Sequence, residues 1–276
     1  MPNPRTTLFL VLFSCCLPLS GLGCAGEERH AQSPLEYAEN ARRDYEIAME
    51  AFDSQNWEAV TELMGEVRRK YGYSRYARLA ELRLADADFL QEKYAEAISG
   101  YKAFVNDYPN DPEVPYARYR IVKAEYESVS QSVLLPPLEE RDLASVNDAH
   151  GSIRAYLADY PGSEHTPELE YMLEVVVGLL ARHELYVARF YLAEGRFDAA
   201  VARAEFALRN FKNSGLEPEA MLLLAEIRMK QKQRSAAREI LKELLARYPD
   251  SAFSVPAKNF LSVLGEPIRQ IRQAEN

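Results

Sequence analysis

Seven residues in the N-terminal half set aromatic rings beside cations: Tyr73, Tyr76, Arg78, Arg83, Tyr116, Tyr119 and Arg120. Guanidinium groups bind carboxylates through paired hydrogen bonds and attract the faces of aromatic rings. A surface of these types suits an extended strand with an aromatic side chain and a terminal carboxylate. The same types have a plainer use, because aromatics pack between helices and surface arginines are solvated.

Other chemistry lacks the residues to carry it. His30, His150, His165 and His183 lie far apart and form no ligand-spaced pair. No metal site is expected. There is no glycine-rich phosphate loop and no Gly-x-Ser-x-Gly elbow. Carboxylates such as Glu139, Glu140 and Asp198 read as solubility charge. Neither catalysis nor a cofactor is expected.

All three cysteines lie at or before position 24, so the body is expected to fold without disulfides. Residues 1–23 read as a signal peptide, with Arg5 ahead of an apolar core from Leu8 to Leu19. That core is too short to span a bilayer comfortably. It leads into Ser20-Gly21-Leu22-Gly23-Cys24. Small residues before a Cys resemble a bacterial lipobox, whose Cys becomes the acylated N-terminus. Here Leu22 stands one place later than the usual Leu, and Cys15 and Cys16 are rival positions with shorter apolar cores. The plain alternative is ordinary secretion, with Cys24 a free thiol or removed. Two or more acyl chains on Cys24 would give stable anchoring. Ala25 follows, where Asp would favour retention at the inner membrane, so the outer membrane is expected. Residues 24–34 read as a lipidated end and a polar tether.

The 276 residues are 47% hydrophobic and 27% charged, enough for a sizeable core. The net charge is −9. Nucleic acid is disfavoured as a partner, because phosphate binding needs a basic footprint.

The elements behind these residues follow from a spacing. Tyr71, Tyr108, Tyr160, Phe211 and Tyr248 each close an apolar helical stretch, at intervals of 37, 52, 51 and 37 residues. Three of them precede a proline: Pro109, Pro161 and Pro249. Eleven residues before each closing aromatic stands Val60, Ala97, Ala149, Ala200 or Ala237, small enough to let two helices approach. Five helix pairs therefore run from about residue 35 to 265, and such repeats stack into a solenoid.

Within the units, Tyr45, Ala48, Met49 and Phe52 share one helical face. Tyr186, Phe190 and Tyr191 hold the corresponding place in the fourth unit. The terminal aromatic is expected to plug the gap to the next unit, with proline stopping the helix. The third unit carries an insertion near 128–140 around Pro136-Pro137. The fourth opens with a long helix from Glu168 to Leu192, able to reach two units. Leu261, Val263 and Leu264 predict a capping helix. The fold class is all-α, a solenoid of about five helix pairs plus a cap.

This pattern resembles the tetratricopeptide repeat family, whose superhelix takes peptides or partner helices on its inner wall. Local strings resemble the BamD family more narrowly, the lipoprotein subunits of the outer-membrane β-barrel assembly (BAM) machinery. Tyr71-Gly-Tyr73-Ser-Arg-Tyr76 is similar to the family's turn after its first repeat, with Gly72 and Ser74-Arg75 in place of Pro and Gly-Pro. The stretch from Arg141-Asp142 to Tyr160-Pro161-Gly162-Ser163 matches without a gap. Leu180 to Tyr191 resembles the family's long helix.

The resemblance implies a lipid-anchored scaffold on the periplasmic face of the outer membrane. Units in 35–165 would bind unfolded outer-membrane proteins, using Tyr73, Tyr76, Arg78, Arg83, Tyr116, Tyr119 and Arg120. Units in 166–265 would dock on the barrel-inserting BamA subunit, with Arg203 at its last POTRA domain. Other BAM lipoproteins would be further partners, and 266–276 is a polar tail. A second reading stays open: another cell-envelope tetratricopeptide lipoprotein, serving peptidoglycan synthesis or polysaccharide export.

Overall fold

The computed structural model describes residues 33–129 and 143–265, and among these every regular element is an α-helix. The leader, Cys24, most of the tether, nearly all of the insertion with Pro136-Pro137, and the polar tail lie outside the described residues.

Five hairpins follow in chain order. They are α1 (Pro34–Asp53) with α2 (Trp57–Lys70), α3 (Arg75–Leu90) with α4 (Tyr94–Asp107), and α5 (Val114–Val129) with α6 (Ala144–Asp159). Next come α7 (Thr166–Ala193) with α8 (Phe197–Asn210), α9 (Glu217–Lys230) with α10 (Arg234–Arg247), and the cap α11 (Ser254–Val263). Each helix packs chiefly on its chain neighbours. Among first helices α1 also touches α3 and α7 touches α9. No two second helices approach as closely among the described residues. The first helices thus form the tighter, inner wall.

The apolar interior is a string of small cores. Each joins one hairpin to the first helix of the next, or to α11 at the end. A middle first helix is therefore buried on two sides. α3 gives Ala80 and Ala87 to one core and Leu82 and Ala85 to the next. α7 divides along its length instead. Leu169 to Leu180 belong to the third core, and Leu185 and Ala188 to the fourth. Its 28 residues span about 42 Å at 1.5 Å per residue.

The small positions behave as their spacing predicts. Val60, Ala97, Ala149, Ala200 and Ala237 are all fully buried. A sixth close approach has no counterpart in that pattern. A Cβ on Gly100 of α4 would sit 2.9 Å from the Ala85 Cβ of α3.

Four hairpin turns repeat one solution. Gln55, Glu92, Gly195 and Lys232 all take left-handed backbone, with φ of 57°, 61°, 71° and 64°. In each, the next amide reaches back to a carbonyl five residues earlier, as from Asn56 N–H to Ala51 O at 2.9 Å. This is the Schellman closure of a helix. Only one of the four uses glycine, although an L side chain there costs about 1–2 kcal/mol.

Three expectations need correction. The terminal tyrosines reach back into their own unit. Tyr71 donates to Asp44 of α1 at 2.8 Å, and Tyr108 to Glu81 of α3 at 3.3 Å. Proline does not stop these helices: Tyr71 and Phe211 lack it, yet their φ/ψ of −124°/39° and −118°/53° match Tyr108 at −128°/58°. Finally, Tyr186 and Phe190 are 39% and 54% exposed, so of the fourth unit's three aromatics only Tyr191 packs on a core.

Two substitutions test the packing and the turns. Gly100→Ala should lower the urea midpoint, because overpacking costs about 1–3 kcal/mol against about 1 kcal/mol of helix propensity gained. Lys232→Gly should raise it, by up to about 1 kcal/mol. A Gly100→Ala chain as stable as the parent would refute the close α3–α4 contact.

Candidate functional site

The seven ring-and-cation residues fall into three places. The innermost surrounds Asp86 on α3, which is 2% exposed. A buried carboxylate needs compensating donors. Tyr101 donates to its Oδ1 at 2.6 Å and Tyr116 at 2.9 Å, while Arg83 pairs with its Oδ2. Arg120 Nε lies 3.4 Å from Oδ1 and donates to the Tyr101 hydroxyl at 3.0 Å. Its guanidinium carbon stands 4.0 Å from the Phe89 ring centroid.

The network joins α3, α4 and α5. Burial pushes the Tyr116 hydroxyl up to about 12, helped by the Asp86 charge. Burial and Asp86 raise Tyr101 further still. Burial opposes the Arg83 charge, but Asp86 and the Tyr45 hydroxyl outweigh it, and its pKa rises. Arg83, Tyr116 and Arg120 are thus brought together, facing one another across a buried anion. Asp86 and Tyr101 were absent from the sequence reading. A lone Asp among alanines gives no periodic signal.

Tyr119 occupies a second place, between α5 and α7. Its ring stacks on His165 at 3.6 Å, and its hydroxyl donates to Glu168 Oε2 at 2.6 Å. Lys123 donates to Glu168 Oε1 at 2.9 Å. Burial alone would raise the Glu168 carboxyl, but the Tyr119 and Lys123 hydrogen bonds hold it below the usual carboxylate range.

The third place is open. Tyr73, in the loop between α2 and α3, is 99% exposed. With Tyr37, Arg42, Arg75 and Tyr76 it lines a groove of about 440 Å³ at the start of α1. Tyr37 packs edge-on against Tyr71 at 5.4 Å, and Tyr76 lies tilted against Tyr45 at 5.5 Å. The Arg75 guanidinium lies 5.4 Å from the Tyr76 centroid. Arg78 sits one turn along, donating to Asp111 at 2.7 Å and lying 5.9 Å from the Tyr108 ring. Tyr37 was missed, though it heads the face that continues through Ala41 and Tyr45.

Arg203 lies far along the array, on α8. Its Nη1 donates to Glu184 of α7 at 3.2 Å, and its side chain is 46% exposed. Phe206, three residues on, is 40% exposed and lines a groove of about 390 Å³ with His183 and Glu184.

Among the described residues, no group of His, Cys, Asp or Glu is arranged to hold a metal ion. No described helix is long and apolar enough to cross a membrane.

Glu168 gives a pH test. A carboxyl depressed in the folded state stabilises above its unfolded value near 4.5, and that stability is lost as pH falls through the folded value. Melting temperature should therefore fall on acidification below about pH 4.5, and Glu168→Gln should flatten part of that fall. Identical pH profiles for the two chains would dismiss the assignment.

Comparison with known proteins adds the lineage. A family described as outer membrane lipoprotein, YfiO, matches residues 38–240. The outer membrane protein assembly factor BamD of Caulobacter vibrioides is 26% identical over 229 residues, covering 81% of this chain and 70% of its own. The protein of that name in Neisseria meningitidis is 22% identical, covering 88% of this chain and 92% of its own. The Xylella fastidiosa protein is 24% identical, covering 66% of this chain and 63% of its own. With a match that runs from α1 into α10, the chain belongs to the YfiO family of outer membrane lipoproteins.

Proposed function

We propose that this chain is a scaffold of outer-membrane β-barrel assembly, anchored by acylated Cys24 to the periplasmic face of the outer membrane. It would bind unfolded outer-membrane proteins through its first units. It would dock on the POTRA-bearing BamA subunit, alongside other BAM lipoproteins, through its last ones. The assembly-factor name of the relatives supports the general role.

One observation carries the substrate side: a fully exposed Tyr73 beside a ring-lined groove with Arg75 at its edge. Leaving a tyrosine ring in water serves no packing purpose. The groove offers rings for a substrate aromatic, and Arg75 offers paired donors for a terminal carboxylate. Arg78 lies on the same side of α3 and extends the cationic rim. Arg83, Tyr116, Tyr119 and Arg120 would act by holding α3, α4, α5 and α7 in register beneath that surface.

On the partner side, Arg203 and Phe206 present an arginine and an aromatic on one face of α8. Interface hot spots draw on such types. Glu184 holds the guanidinium in place yet leaves nearly half of the side chain in solvent.

Two measurements check these assignments. Tyr73→Ala with Arg75→Glu should weaken binding of a labelled barrel C-terminal peptide ending in Phe by about 30-fold or more, one or two hot-spot contacts. Amidating the peptide terminus should mimic part of that loss. Unchanged affinity in both would remove the groove as the substrate site. Arg203→Glu should weaken capture of a POTRA-bearing barrel protein by a similar factor; its melting temperature should drop, because the new carboxylate faces buried Glu184, but the chain should stay folded. Full capture by the folded variant would end the Arg203 assignment.

A further inference from the structure

The second half of α7 turns an unusual face to solvent. Arg182, Tyr186, Arg189 and Phe190 are all exposed, spaced by four, three and one. They form one stripe along about two turns of helix. α6, α8 and α9 cover the other sides of α7. Arg189 pairs with Glu219 of α9, so the stripe adjoins the next first helix and lies on the inner wall. Arg203 and Phe206 belong to α8 and the second-helix side, so the two surfaces are distinct.

Three features ask for a partner. Tyr186 and Phe190 supply two large rings on successive turns, 39% and 54% exposed. Arg182 stands on the turn before them and makes no ion pair among the described residues. Tyrosine and arginine are the types that dominate binding hot spots. In a chain of net charge −9, Arg182 adds an unmatched positive charge to the stripe, while Arg189 beside it is held by Glu219.

We infer that this stripe docks an acidic amphipathic helix, with apolar side chains on the Tyr186–Phe190 ridge and carboxylates toward Arg182 and Arg189. The occupant is helical for a hydrogen-bonding reason. An extended segment brings unpaired backbone N–H and C=O groups to the surface it covers. Arg182 and the Tyr186 hydroxyl can each meet one such group, but these four residues offer no sheet edge or side-chain amide to satisfy the rest. A helix satisfies its own backbone and packs its ridges beside the i, i+4 ridge of α7. Charge argues against two other occupants. A two-fold copy would bring the same arginines together. The chain's own tail sets Arg269 and Arg272 beside Ile268 and Ile271, and Glu266 and Glu275 only balance them, so it lacks the acidic excess that the stripe calls for.

The test uses the full chain and two labelled helical 20-mers with the same Leu stripe, one flanked by Glu and one by Lys. Fluorescence anisotropy should show saturable binding of the Glu peptide, weakening with salt, and at least tenfold weaker binding of the Lys peptide. Tyr186→Ala with Phe190→Ala, and separately Arg182→Glu, should each weaken the Glu peptide by about 30-fold, the size of one hot spot. All three positions are exposed, so circular dichroism and melting should match the parent. Arg203→Glu should leave the Glu peptide's affinity unchanged, separating this face from the proposed docking face. Equal binding of both peptides, or variants that bind like the parent, would overturn the inference. So would self-association abolished by Tyr186→Ala with Phe190→Ala, or tighter peptide binding after removal of residues 266–276.

Discussion

Everything in this architecture depends on how closely two helices can lie at five small residues. Val60, Ala97, Ala149, Ala200 and Ala237 are completely buried, each near the start of a second helix. A solenoid has no central core to absorb an error in one contact. Each hairpin is fixed by its neighbours alone, so an added methylene there would tilt every later unit. The cores show the consequence. Each is completed by the first helix of the following unit, and no hairpin closes its own interior. The short α11 completes the last of them, with Ala257 and Leu261 buried and Val255 and Val263 left in water.

Much of this was legible because it is periodic. Closing aromatics and small residues at a fixed offset mark the second helices, and the structure keeps all five. The length of α7 was readable from an apolar run without a breaker, and its division between two cores follows from that length. What escaped the sequence was direction. Tyr186 and Phe190 repeat at helical spacing just as Tyr45 and Met49 do. Periodicity states which residues share a face, but not whether that face meets protein or water. The closing tyrosines failed in a similar way. Their rings end the helices as expected, but the hydroxyls of Tyr71 and Tyr108 are drawn to carboxylates of the helix behind them. The candidate binding residues split for the same reason. Arg83, Tyr116 and Arg120 read as a surface, yet one buried carboxylate three residues from Arg83 gathers them inward. Tyr73 stays outside because the loop that carries it crosses the edge of the array.

The Asp86 network also shows how a repeat of similar helices keeps its register. Alanine-rich contacts are smooth, and α3 buries four alanines. Apolar contact alone leaves such helices free to slide by a turn at small cost. Asp86 removes that freedom. Its oxygens are met from α3, α4 and α5 at once, and a one-turn slip would strand a buried charge. The Tyr119–Glu168–His165 cluster plays the same part between α5 and α7.

The surfaces proposed to bind on this array are held at fixed separations, and that is what the geometry adds to their chemistry. The Tyr73 groove sits at the first unit and Arg203 in the fourth, with two complete hairpins between them. Neither surface shares a core with the other, so occupation of one need not alter the affinity of the other. Coupling through the chain would require an element with two packed arrangements. α7, the helix that links the third and fourth cores, is instead pinned at both ends, by Glu168 to Tyr119 and by Arg189 to Glu219. A stiff spacer works by effective concentration. A segment held at the groove is presented to whatever is held near α8 over a set distance, without a change in either site. On this reasoning the long helix acts as the ruler of the array. Its exposed stripe lies along the path between the two ends, on the wall where a bound segment would pass.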